Sequence, residues 1–155
     1  WTKEREAVAE TDLIKLYSAR ILALAADIPH VGALDAPDAR VKKRSPLCGS
    51  AVTVDVTMRD GVIVEFAQDV KACSPGQSAA AVLGGAVIGR SPKEIACLRE
   101  ELRAMLKADG PVPSAPFDGY EVLLPAREYK NRHASILLAV EATAEACASA
   151  HAQAS

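Results

Sequence analysis

At 155 residues, half of them hydrophobic and a quarter charged, the chain has the size and balance of one globular domain with a single core. A formal net charge of −2 removes any whole-protein case for nucleic-acid binding, and no apolar run approaches the ~20 residues that span a bilayer. The four cysteines match no secreted disulfide module and include no Cys-x-x-Cys, which points to a reducing compartment.

Residues 1–10 are charged and read as an extension; the chain opens at Trp1 without an initiator methionine or signal-peptide pattern, which suggests processing or a late start. The first helix is expected over about Thr11–Asp27, with Leu13, Tyr17, Ile21, Leu24 and Ile28 on one stripe and Pro29 ending it. His30 to Pro46 lacks a period and reads as a loop carrying the cations Arg40, Lys42, Lys43 and Arg44. Those cations read as a solvated loop, or as charges that favour an anionic sulfur at Cys48, or as a lure for an acidic partner.

Ala51–Met58 alternates Val52, Val54 and Val56 with polar residues, the pattern of a half-buried strand. Asp60-Gly61 turns the chain into a second strand over Val62–Ala67, and Gln68–Ala72 is a third strand or a bulged extension. Ser74-Pro75-Gly76-Gln77 predicts a capping box and a helix to about Ile88. Ser91-Pro92-Lys93-Glu94 predicts another, starting a helix to about Lys107 with Ile95, Leu98, Leu102, Met105 and Leu106 inward. A connector with a short helical turn near Phe117–Leu123 leads to a last helix over about Glu128–Ser149, and residues 151–155 read as a frayed tail.

The chemistry concentrates around the predicted hairpin. Cys73 stands at a helix start, where unpaired amides and the helix dipole favour the thiolate that binds metal or attacks sulfur; otherwise it is a small buried residue. Cys48 opens the same hairpin and is a candidate second ligand, although Cys-Gly-Ser alone says nothing. His133 is a candidate third ligand, since neutral imidazole suits zinc and iron; otherwise it is a surface or capping group. Cys97 reads as an incidental thiol on a polar face and Cys147 as core, while His30 and His151 receive no role.

Five segments in order carry a resemblance. Pro29-His30-Val31-Gly32 with Leu34, Leu47-Cys48-Gly49-Ser50, Ala72-Cys73 with Ser78-Ala79-Ala80, Gly89 and Ser91 before a helix, and His133-Ala134-Ser135-Ile136-Leu137 resemble the NifU/IscU/SufU-type iron–sulfur cluster assembly scaffold family. The match spans about Leu13 to Cys147. It departs at Ser50, where the family has aspartate, and at Ala134, where it has a third cysteine. The resemblance implies an α+β single domain over about residues 11–150, a small three-stranded antiparallel sheet packed by helices. It implies a non-enzymatic carrier that takes sulfur from a cysteine desulfurase, takes iron, and passes a transient cluster to an acceptor. Cys48, Cys73 and His133 would hold the cluster, or an iron or zinc ion. Bacterial cytoplasm or the mitochondrial matrix would be the setting. The alternatives are an adaptor or structural subunit of a larger assembly without a cluster, with a mitochondrial assembly among the settings, and a tight zinc protein.

Overall fold

The structure, a computed structural model, describes residues 19–46 and 49–154. The expected extension, the first part of the first helix and its Leu13 and Tyr17 lie outside them, as does Cys48. Residues 19–25 are helical (α1), and Ala26 N–H to Leu22 O closes the last turn at 3.0 Å. Ile21, Leu24 and Ile28 pack against the core, as their spacing predicts.

The sheet has three antiparallel strands in the order β1 (Ala39–Arg44), β2 (Ala51–Arg59) and β3 (Val62–Lys71). The hairpin between β2 and β3 turns at Asp60 and Gly61, with φ of 54° and 80°, the left-handed conformations that a tight turn demands. A bulge at Thr57/Met58 leaves the paired residues of β3 as Glu65 and Ile63. Gln68–Lys71 extends β3 rather than forming a separate strand.

The actual third strand is β1, which corrects the expectation of a loop there. Its inward residues are Ala39, Val41 and Lys43, opposite Val56, Val54 and Val52. Only one of those three on β1 is a strong β-former, so alternation is hidden. Lys43 takes an inward position because its ammonium reaches Glu145 on the last helix at 2.7 Å while its stem stays on the sheet. Outward, Arg40 forms a two-pronged pair with the buried Asp55 at 2.6 and 2.8 Å, and Asp55 also accepts from Leu34 N–H at 3.0 Å. One buried carboxylate thus ties the loop before β1 to the sheet. The Arg40 hydrogen bond chiefly, then the Leu34 amide, hold that carboxyl below the usual range against partial desolvation.

Helix α2 (Ser74–Gly84) ends four residues earlier than expected. Its first turn is also different: Cys73 is the N-cap, no side chain caps it, and Gln77 Nε2 instead donates to Ala72 O at 3.0 Å. α3 (Pro92–Lys107) has the full capping box, with Ser91 and Glu94 exchanging bonds of 3.2 Å. Arg127 closes its far end through Met105 O at 2.6 Å and Gly110 O. Arg127 belongs to a 3-10 segment (Asp118–Glu128) longer than the expected turn.

The last helix, α4 (Lys130–Ala154), runs past Ser149. Ile136 through Val140, then Ala142, Ala144, Ala146, Cys147 and Ala150, are buried, so it is apolar nearly all round. Such a helix must be covered on several sides. It packs on the inner face of β1 and β2 and against α2 and α3.

Candidate functional site

Three elements meet at one end of the sheet. Ser50 leads into β2, Cys73 joins β3 to α2, and Ser135 lies in the first turns of α4. Ser135 Oγ is 3.0 Å from Ser50 Oγ and 3.4 Å from Cys73 Sγ, with both serines buried and Cys73 half-buried. Gly76 permits this approach. A Cβ there would fall 2.5 Å from Ser135 Oγ and 2.9 Å from Ala72 Cβ, closer than real contacts allow.

The sulfur therefore sits at the N-terminus of an eleven-residue helix with no acidic residue in its first turn. The Ser135 hydroxyl lies within reach of that sulfur, and either group can donate.

Cys48 lies outside the described residues, but Ser45 and Ser50 on either side of it do not. Ser45 N–H donates to Ser50 O at 2.8 Å and Gly49 N–H to Ser45 O at 3.2 Å. Cys48 is thus two residues along the chain from a serine that touches Ser135.

His133 is placed differently. It precedes Ser135 by two positions on α4, a rotation of ~200° around a helix, so the two side chains leave on opposite sides. Its ring is buried, with Nε2 2.8 Å from Ala126 O. A carbonyl only accepts, so Nε2 carries the proton and the ring's free lone pair is on Nδ1; what separates His133 from Cys73 is the side of α4 from which it leaves. The ring borders a cleft of about 540 Å³ with Leu106, Lys107, Asp109, Arg127 and Lys130, at the C-terminal end of α3. Among the described residues no group of three or more His, Cys, Asp and Glu side chains could hold a metal ion. The structure joins Cys73 to Ser135 and Ser50 and directs His133 elsewhere.

Cys97 is exposed on α3 and Cys147 is fully buried on α4, where burial pushes its thiol up to about 11. Both sit where the helical pattern predicts. Ser135 received no role from the sequence. The available signal was a small hydroxyl inside an otherwise apolar helix face, opposite a cysteine-bearing loop. Among the described residues no helix is long and apolar enough to cross a membrane.

An α+β domain with a three-stranded antiparallel sheet, a long central helix and a thiol at the strand-to-helix junction is the scaffold class of fold. The solved N-terminal domain of a nitrogen-fixing NifU-like protein from Brucella abortus is 41% identical, covers 86% of this chain and 93% of its own, and superposes with a TM-score of 0.84. The chain belongs to that family, the NifU/IscU/SufU type. A hypothetical protein (23% identity, 86% of this chain, 98% of that one, TM-score 0.75) shares the fold. So does a putative iron–sulfur cluster assembly scaffold protein for the SUF system from Fervidobacterium islandicum AW-1 (16% identity, 83% and 93% covered, TM-score 0.73).

A family model described as the aminomethyltransferase beta-barrel domain matches residues 27–90. Those residues hold β1 to β3 and α2, under half of the chain, and the sheet they form is open. No curated protein matches the chain.

Proposed function

We propose that this protein is a non-enzymatic iron–sulfur assembly scaffold that takes sulfur at Cys73 and Cys48, takes iron, and hands on a cluster. The observation that carries the reading is the Cys73 sulfur at the start of α2, 3.4 Å from the Ser135 hydroxyl. Sulfur enters when the Cys73 thiolate attacks the outer sulfur of a donor persulfide. The donor's S–S bond breaks, the donor leaves as its thiolate, and Cys73 becomes the persulfide, whose outer sulfur takes two electrons from an external one-electron carrier protein or thiol reductant to enter a cluster as sulfide. A cysteine desulfurase is the donor class that the family relationship suggests, and a cluster-accepting protein is the recipient.

Cys48 is proposed as the second thiol, because its neighbour Ser50 reaches Ser135 on the same end of the sheet. His133 is left out of the ligand set and proposed as the tie between α4 and the 3-10 segment, through Ala126 O. Two thiolates leave coordination positions open for inorganic sulfide or for a partner's ligands, as an exchangeable site requires.

The test is anaerobic incubation with a persulfide donor, then mass spectrometry of the cysteine peptides. Cys73 should gain the mass of one sulfur atom, and Cys73→Ala should abolish that transfer. Exposed Cys97 serves as the control for indiscriminate labelling. Sulfur on Cys97 alone, or none on Cys73, overturns the reading.

A second reading, an adaptor or structural subunit without cargo, draws on Ser50. Its hydroxyl faces Ser135 where the family pattern has a carboxylate, so this end of the sheet offers no acid at that position. An adaptor would retain far less than one iron or zinc per chain after reconstitution.

A further inference from the structure

The cationic run over residues 40–44 lies on a strand whose outer side pairs with no other strand among the described residues. β1 is the edge of the sheet, bonded only to β2. The bond from Ser45 N–H to Ser50 O fixes the phase of this ladder. Alternation from that pair directs Lys43 and Val41 toward β2 and leaves the amides and carbonyls of Arg44 and Lys42 facing outward.

The charges divide in the same way. Arg40 is paired with Asp55 and Lys43 with Glu145. Lys42 and Arg44 are exposed and have no ion pair among the described residues. They are two positions apart, so both project from the outer face of the strand, about 6.8 Å apart along it.

Open edges invite another strand, and charges on them commonly serve to repel. Two unpaired cations repel a second copy of this edge, yet they attract an extended segment that carries carboxylates. The chain as a whole is slightly acidic, while this strip is basic. We propose that β1 is the docking edge for an extended acidic segment of a partner protein. That segment adds as a fourth strand and carries Asp or Glu at positions i and i+2 opposite Lys42 and Arg44. Main-chain bonds to the strand give affinity, and the two ion pairs select the sequence and the register. The inference stands apart from sulfur and iron chemistry, since peptide binding is read on the metal-free, reduced chain.

The probe is a labelled peptide of alternating Glu and Val, titrated by fluorescence anisotropy against the full chain. A control peptide has the same composition with its glutamates grouped. The alternating peptide should bind, the grouped one more weakly, and added salt should weaken both. The double variant K42E/R44E should lose about tenfold or more in affinity, since it replaces two cross-strand attractions by two repulsions. K42Q/R44Q should fall between, and thermal melts of both variants should match the parent. Hydrogen exchange at the Lys42 and Arg44 amides should slow on binding. No binding, equal binding to K42E/R44E, or binding without slowed exchange at those two amides overturns the proposal. So does a free chain that already self-associates through this edge.

Discussion

Gly76→Ala sets helix propensity against packing, and the two predict opposite signs. Gly76 lies in the first turn of α2, where alanine gains up to ~1 kcal/mol over glycine inside a helix and less near the end. The added Cβ would meet Ser135 Oγ at 2.5 Å, Ala72 Cβ at 2.9 Å and Ser135 O at 3.3 Å. An unstrained C···O contact needs roughly 0.7–0.9 Å more than the first of these, so either α2 lifts from α4 or the Ser135 rotamer changes. Overpacking of this kind costs about 1–3 kcal/mol, which outweighs the propensity gain and leaves a net loss of about 1–2 kcal/mol. Urea unfolding should show a lowered midpoint with an unchanged slope. Removing the struck atom supplies the control: the G76A/S135A double variant should recover part of the loss, with a coupling of at least ~0.5 kcal/mol. Stability of Gly76→Ala at or above wild type would refute the close approach of α2 to α4. With it would go the geometry that brings Cys73 to Ser135.

Asp55→Asn should lower stability at neutral pH and loosen the loop around Leu34, which urea titrations at several pH values will show. The folded carboxyl is held below its usual range, so its contribution is full above the unfolded pKa and fades as pH falls through the folded value. The gap between wild type and variant should therefore narrow as pH is lowered through the acid range, and a gap independent of pH contradicts the Arg40 pairing. Tyr120→Phe should leave stability unchanged or raise it by up to about 1 kcal/mol, because the fully buried hydroxyl has no hydrogen-bond partner among the described residues. A loss beyond 1 kcal/mol in the same assay would mean the hydroxyl is satisfied. A thiol reagent should modify exposed Cys97 quickly and leave Cys147 untouched until urea unfolds the chain. Rapid labelling of Cys147 in the native protein, followed by peptide mapping, would contradict its place on the buried side of α4.

What could be read from the sequence was the part written in strong periods. The β2–β3 hairpin showed itself through three alternating valines and an Asp-Gly turn, and α3 through its capping box and five spaced apolar residues. β1 was hidden because a basic edge strand needs little apolar alternation, and Lys43 faces inward only by reaching an acid on a helix about a hundred residues later. The capping box at Ser74 is not formed: the backbone places the cap at Cys73, whose carbonyl accepts from Gln77 N–H, and the Gln77 side chain bonds Ala72 O instead. Around the site, residue types pointed to Cys73, but Ser135 is defined by long-range contacts with Ser50 and Cys73 that no local pattern encodes. His133 reads as a ligand from the sequence because it stands where the family pattern has its histidine. The phase of α4 decides where it points, and two residues along a helix is half a turn away.

The most direct test is anaerobic reconstitution with ferrous iron and sulfide, followed by iron and sulfide analysis and absorption spectra of the desalted protein. Wild type and His133→Ala should both retain iron and sulfide, while Cys73→Ala and Cys48→Ala should each retain much less. Undiminished retention in the two cysteine variants, or its loss in His133→Ala while the fold persists, would contradict a cargo site built on the two thiols.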